Sequence, residues 1–381
     1  MADHAVIIVG AGALGAATAW YAAELTGGDV LLVDRGEVAG GTTGRGAGLV
    51  NRLLSDPLDI GLVDASLPAF RSLPAGSGGR YHAPGGLLLA ERRHDPALAR
   101  LLRVWAAQGL EVLRLEPEEV AEIPGTPALD LSPEEAAFLV EGDGWADTTA
   151  MTRAMVAHAQ AAGAELATGT EVSQVDDGAI RIAGGDRLTA EAIVVAAGAW
   201  SGEVLAGFGH APLLAYRPQA AELAVEHPGG LPIVHDLVHH TYWRGAGPGT
   251  VIIGDGTVLE PQASEGEPPV EPSFTEEVRA KLAARWPRAE AARLVRAWAG
   301  FEAGTPDQRP LAGRVPGAEA TFVLTGGNGF GFMRSPALGE AVARMAVGLA
   351  PSQPLGALDP GRFSWETPAS FDLREGFSLT P

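Results

Sequence analysis

Three glycines near the start of the chain, Gly10, Gly12 and Gly15, follow the spacing G-x-G-x-x-G, and an acid, Asp34, stands 19 residues after the last. The chemistry this spacing serves is the grip of a dinucleotide. Gly10 permits a tight turn, Gly12 lets backbone approach a pyrophosphate, and Gly15 lets a helix lie close to a strand. The N–H groups of a helix start, here Ala13 and Leu14, favour a phosphate through the helix dipole. Asp34 would accept hydrogen bonds from an adenosine ribose, with Arg35 beside it. The elements that must position these groups are legible around them. The apolar run Ala5 to Val9 reads as a buried strand, Ala13 to Leu25 as a helix, and Val30 to Val33 as a second strand. This βαβ unit binds ADP, but it does not by itself separate NAD from FAD.

Composition bounds the rest. The chain has 381 residues, enough for two domains with sizeable cores. With no run of 18 or more apolar residues and no basic leader, the expectation is a cytoplasmic protein without a membrane span. There are no cysteines, which excludes disulfides, thiolate metal sites and a cysteinyl flavin link. The 27 basic and 47 acidic side chains leave a formal charge of 27 − 47 = −20, which repels nucleic acid. No histidine pattern suggests a metal, and His239-His240 reads as a surface or loop pair.

A second glycine-rich stretch, Gly40-Gly41-Thr42-Thr43-Gly44-Arg45-Gly46-Ala47-Gly48-Leu49, follows directly. Five glycines in nine residues suit neither helix nor strand. Further on, Ala192 to Gly198 ends a β-branched run in small residues, and Ala199-Trp200-Ser201 completes it. Near the C-terminus, Trp298-Ala-Gly-Phe-Glu302 leads to Thr305-Pro306-Asp307, and Thr325 to Gly339 reads TGGNGFGFMRSPALG. Here Phe322 to Leu324 is a strand, the glycine turn follows, and Pro336 to Val347 is a helix. A second glycine turn opening a helix is what FAD needs and NAD alone does not.

Taken together these stretches resemble the D-amino-acid oxidase-like superfamily of FAD enzymes, nearest its glycine oxidase and sarcosine oxidase branch. The resemblance implies an α/β fold, with a Rossmann-like FAD-binding domain and an inserted α+β substrate domain carrying a mostly antiparallel sheet. It places Thr42 and Thr43 near the phosphates and ribityl chain, and Arg45, Gly46, Ala47, Gly48 and Leu49 near the flavin ring. Val172 would contact adenine through its backbone, with Ala197 and Gly198 beside ribose and pyrophosphate. Trp200 joins that set or is plain core. Gly329, Phe330, Gly331, Phe332 and Met333 would face the pyrimidine end of the flavin. Relatives with a covalent flavin carry a His in the first loop, about where Arg45 stands, so the flavin is expected to be noncovalent.

On the substrate side the resemblance brings an aromatic, Tyr242, over the substrate, and an arginine on its carboxylate. The position of that arginine holds Glu302 in this chain. Either another arginine takes over, with Arg334, Arg244 and Arg52 as candidates, or the substrate bears a basic group that Glu302 holds. The first is the leaning at this stage. Arg217 reads as structural.

The implied division is FAD domain at residues 1–80, 143–212 and 296–350, substrate domain at 81–142 and 213–295, and a Pro-rich tail at 351–381. Leu58 to Leu73 and Pro96 to Gly109 read as helices, Tyr81 to Ala90 as a strand, and Leu115 to Leu139 as loop with short helices. Thr148 or Thr149 would cap a helix to Ala162. Thr275 to Trp286 and Ala289 to Val295 read as helices after an acidic loop, Pro261 to Phe274. The implied activity is oxidation of a C–N bond in an amino acid or secondary amine, with oxygen or another acceptor reoxidising the flavin. A β-type subunit of a multi-chain amine dehydrogenase, a homo-oligomer and an NAD-dependent dehydrogenase stay open.

Overall fold

The computed structural model describes residues 2–73, 80–92, 95–227, 229–256, 259 and 268–369. The four-residue run Val30–Val33 and the core of His4–Val9 are buried on both faces, so they cannot alternate polar and apolar residues. They pair in parallel at the centre of an eight-stranded sheet. Its main order is Leu311–Arg314, Thr321–Thr325, Arg187–Val195, His4–Val9, Val30–Val33, Glu165–Ala167. The registers His4↔Ala190 and Val6↔Val30 fix the first strand between its neighbours. The hairpin Val172–Asp176 and Ala179–Ile182 hangs from Arg187–Val195. Helices Ala13–Thr26, Thr148–Ala161, Pro57–Ser72 and Gly331–Ala346 form a layer whose buried faces join one hydrophobic cluster.

A second eight-stranded sheet is antiparallel at every pairing but one. Its order is Arg293–Ala299, Gln219–Ala224, Thr250–Gly254, Thr241–Gly247, Ile233–Asp236, Gly86–Glu91, Glu135–Val140, Leu113–Leu115. The exception is Ile233–Asp236, parallel to Gly86–Glu91. Helix Phe274–Arg285 closes this sheet over Trp243 and Trp286. The fold is therefore α/β, with a parallel sheet and a separate, mostly antiparallel one. The chain passes between the two sheets in both directions, and its crossings are paired by two short ribbons. Leu49–Val50 pairs with Gly144–Trp145, and Leu214–Tyr216 pairs with Glu302–Gly304.

Several local expectations need correction. Residues 289–295 are not a helix: a 3-10 turn ends at Ala291, and Arg293–Ala299 is an edge strand of the second sheet. That strand runs across the expected boundary between residues 295 and 296. Between Leu115 and Leu139 the prolines do not exclude a strand. Pro117 opens a short helix, and Glu135–Val140 pairs along its length with Gly86–Glu91. Its two alanines carry weak strand propensity, and burial decides the matter. The cap of Thr148–Ala161 is Asp147, whose carboxylate accepts from the Ala150 N–H at 2.7 Å. The last long helix starts at Gly331, five residues before the expected Pro336. Pro336 cannot donate to the Phe332 carbonyl, and the Ser335 hydroxyl takes that acceptor at 2.8 Å. Residues 261–267 of the expected acidic loop and 370–381 of the tail lie outside the described residues. Before residue 370, Trp365 is buried and donates its indole N–H to the Pro360 carbonyl.

One buried ion cluster ties the second sheet together. Arg285, 1% exposed, sits between Asp236 and Glu135, with contacts of 2.7 and 2.6 Å. It also donates to the Asp130 carbonyl. Burial pushes the Asp236 carboxyl up, but the His239 hydrogen bond, the Arg285 hydrogen bonds and the Arg285 charge bring it down to about 2. A carboxyl with a depressed folded pKa contributes stability above its unfolded value near 3.8, and that contribution is lost as pH falls through about 2. Removing the cation strands two buried carboxylates. Arg285→Met should cost about 3–5 kcal/mol in urea unfolding at pH 7. An unchanged midpoint would show that the cluster carries no net stability.

Candidate active site

The turn at Gly10 has φ +110°, and a Cβ there would lie 2.4 Å from the Ala196 carbonyl oxygen. A Cβ on Gly15 would lie 1.8 Å from the Gly10 carbonyl oxygen. The spacing therefore does what its residue types allow: strand end, helix start and the Ala196 strand end meet at backbone distance. The helix that follows, Ala13–Thr26, has Gly12 at its N-cap, which supplies no side chain of its own. Beside it Asp34 accepts from the Ala11 and Gly36 N–H groups, at 2.7 and 2.8 Å, and Thr43 accepts from Ala13 at 3.0 Å. The second glycine loop thus packs on the first, as a 3-10 turn from Thr42 to Arg45.

A cavity of about 1430 Å³ opens from this point and continues to the second sheet. Gly10, Gly12, Ala13, Leu14, Asp34 and Arg35 line one end, with Val172, Ala197, Gly198 and Trp200. Arg35 lies over the Trp200 ring at 4.3 Å. Thr42, Thr43, Arg45, Gly46, Ala47, Gly48 and Leu49 line the middle, facing the turn Gly329, Phe330, Gly331, Phe332 and Met333. Of the other fingerprint positions, Gly15 serves packing and does not line the cavity. The helix Gly331–Ala346 starts at Phe330, whose side chain makes no capping hydrogen bond. Two helix starts thus face one enclosure, each a place for partial negative charge.

The far end is walled by the second sheet. His235 and Tyr242 are direct cross-strand neighbours, and Gly254 stands opposite Tyr242. A Cβ on Gly254 would lie 2.3 Å from the Tyr242 hydroxyl, so the ring lies flat across that glycine. Glu302 enters from the ribbon between the sheets. Its carboxylate accepts from the Tyr216 hydroxyl at 2.6 Å and from the Gly329 N–H. Burial pushes the Glu302 carboxyl up, and it pushes the Tyr216 and Tyr242 phenols well up. One residue earlier, the Phe301 carbonyl accepts from the Thr42 hydroxyl. Glu302 is thereby tied to both glycine loops.

The three arginines expected to grip a substrate carboxylate do not line the cavity. Arg52 lies outside it, held by Asp143 at 2.7 Å and Asp64 at 3.1 Å. Arg244 is buried behind the flavin-loop segment, where it donates to the Ala47 and Gly245 carbonyls and lies over Trp145 at 4.1 Å. Burial lowers it to about 10. Arg334 is fully buried and turned back, donating to Asp59 and to the Gly327 and Phe330 carbonyls. All three fasten the walls. Arg217 is likewise buried, donating to the Pro269 carbonyl and to Glu271, which fits its structural reading.

Two side chains that sequence reasoning did not single out line the cavity with unanswered hydrogen-bonding groups. Both amide atoms of Asn51 and both ring nitrogens of His235 are buried without a partner among the described residues. Buried polar groups in native proteins are rarely left so, and such groups mark a place for ligand. Asn51 sits just past the glycine loop, and His235 interrupts the apolar run Ile233–Val234; those two signals were available. Of the histidine pair, His239 turns to Asp236 at 3.0 Å, and His240 lines the cavity. Among the described residues no cluster of three or more His, Asp or Glu could hold a metal. No described helix is long and apolar enough to cross a membrane.

The family model described as DAO, FAD dependent oxidoreductase, matches residues 5–345. The chain belongs to that family. Bovine FAD-dependent oxidoreductase domain-containing protein 1 is 27% identical over 90% of this chain and 81% of its own length. Glycine oxidase of Bacillus licheniformis is 26% identical over 90% of this chain and 92% of its own. The solved L-proline dehydrogenase of P. horikoshii shares the fold, with a TM-score of 0.86 at 24% identity, over 95% of this chain and 98% of that one.

FAD is thus the cofactor of this DAO-family chain, and the cavity fits it: two close-packed glycine turns, two helix starts facing one enclosure, and unpartnered polar groups on its wall. Gly15→Ala drives a Cβ into the Gly10 backbone, which must shift to admit it, so the fraction of the variant that elutes folded should retain at least ~10-fold less flavin. The check is the flavin-to-protein absorbance ratio after gel filtration. Full flavin content would mean that the close approach of helix and strand is not what holds the pyrophosphate.

Proposed function

We propose that this DAO-family chain oxidises the C–N bond of an amino acid or amine, with its FAD held noncovalently. The carrying observation is the continuity of the cavity. It runs from the Gly10 turn to the Tyr242 and Glu302 wall, so the far end of one dinucleotide and a small substrate share one enclosure. When bound, FAD supplies the two-electron acceptor.

The chain's own contribution is binding and orientation. Tyr242 offers a flat ring fixed by Gly254, which suits a substrate pressed against a planar partner. The Gly331–Ala346 helix start places positive partial charge at the turn Gly329–Phe330, where it would favour negative charge developing on a bound group. The enclosure between the sheets limits water until the imine is released, and hydrolysis of the imine follows in solution. The relatives named glycine oxidase and L-proline dehydrogenase support an amine or amino-acid substrate here, and a choice among them rests on the residues at the far wall.

Noncovalent attachment is supported by the loop itself. No cysteine exists in the chain, and Arg45, whose guanidinium donates to the Gly40 and Gly41 carbonyls, offers no nucleophile. The purified protein should be yellow, with absorbance near ~450 nm, and should lose that band on anaerobic addition of a suitable amine. Trichloroacetic acid should leave the flavin in the supernatant. A yellow pellet would establish a covalent link, and a colourless protein that binds only NAD would overturn the assignment.

A further inference from the structure

We propose that Glu302 is the group that binds the substrate's ionised centre, and that the substrate class is an amine with no carboxylate on the reacting carbon. This deepens the reading as an amine or amino-acid oxidoreductase and rests on it.

Charge at the far end of the cavity selects the substrate. The acidic side chains lining that end are Glu302, Asp255 and Asp236; Arg285 neutralises Asp236, and Lys281 pairs with Asp255 at 3.1 Å, which leaves Glu302. Among the described residues no lysine lines the cavity, and three arginines do: Arg35, Arg45 and Arg309. Arg35 lies over Trp200 beside the Asp34 end, and Arg45 donates to two loop carbonyls. Arg309 grips Asp56 through two nitrogens, at 2.9 and 2.8 Å. Arg334 and Arg244 stand behind the wall, their donors spent on backbone carbonyls and Asp59; the Arg334 charge still reaches Glu302, where burial outweighs it. His235 supplies no charge, because burial lowers it to about 4, and Asn51 is neutral.

A substrate carboxylate brought here would lose its water and meet Glu302 with no lysine and no unengaged arginine on the cavity wall to receive it, His240 being the one further basic side chain in the lining among the described residues. Burying a charge without a partner is costly. An ammonium would meet the reverse. Glu302 uses one position for the Tyr216 hydroxyl and one for the Gly329 N–H, and a carboxylate has about four lone-pair sites. The Tyr242 ring adds an aromatic face for a cation. The Phe301 and Gly329 contacts hold this carboxylate between the two glycine loops, where the reacting carbon must also lie. A carboxyl whose proton affinity is raised by burial can also take the proton that an ammonium must lose before its C–H bond breaks.

Matched pairs that differ only by the carboxylate test this: methylamine and glycine, dimethylamine and sarcosine, pyrrolidine and proline, benzylamine and phenylglycine. The FAD-loaded protein is titrated anaerobically, reading both the spectral shift on binding and the rate of flavin bleaching. In at least one pair the amine should bind and react at least ~10-fold better than the amino acid. Glu302→Gln, with flavin content unchanged, should weaken that amine at least ~10-fold. Glu302→Arg should turn the preference toward the carboxylate-bearing member. Tyr216→Phe, which keeps the carboxylate, should preserve the preference. Amino acids favoured in every pair, or a preference untouched by both Glu302 variants at full flavin content, would overturn the proposal. If no member of any pair bleaches the flavin, the activity reading fails instead, while the binding shifts still report the charge preference separately.

Discussion

The helices whose N-termini face the cavity pack against each other at backbone distance, and the site depends on it. A Cβ on Gly339 would lie 2.7 Å from both the Ala17 Cβ and the Thr18 N. Only a glycine lets the helix Gly331–Ala346 come that close to the helix Ala13–Thr26. Both helices also pack on one sheet, through Ala16, Ala17, Ala337 and Leu338 in a shared core. The spacing between the helix starts is therefore set by backbone contact, not by long side chains that could swing. The glycine turns aim their N–H groups into one cavity because of that closeness.

The second sheet depends on this frame through the ribbons. Each ribbon pairs two crossings of the chain, so the segments bearing Leu49, Trp145, Tyr216 and Glu302 are held by backbone hydrogen bonds even where they leave the sheets. Buried arginines do the remaining fastening. Arg334 ties the flavin turn to Asp59, and Arg244 ties the second sheet to the Ala47 carbonyl. Such residues resemble substrate clamps in sequence, since type and neighbourhood are alike. Their direction in space separates the two roles.

That distinction marks how far the sequence could be read. The Gly10–Asp34 unit, the Thr42–Leu49 loop and the Gly326–Phe332 turn were legible because glycine at close backbone approach leaves a pattern that little else mimics. The strand Glu135–Val140 was not, because alanines and nearby prolines hide a pairing that only its partner strand supplies. The departure at Glu302 was visible, but its meaning was not. It took the engagement of Arg52, Arg244 and Arg334 by other partners to shift the balance from a replaced arginine toward a cation-binding acid. Asn51 and His235 escaped notice because an unpartnered polar atom is a property of packing and has no sequence motif.

The central claim is that one FAD spans both helix starts and ends against the Tyr242 and Glu302 wall. A crystal structure of the flavin-loaded protein with an amine inhibitor tests it most directly. The account requires density with the pyrophosphate at Gly12 and Ala13, the flavin ring between the Arg45–Leu49 loop and the Gly329–Phe332 turn, and the inhibitor's nitrogen within hydrogen-bond distance of Glu302. Density confined to the first helix start, or a ring lying away from Tyr242, would contradict it.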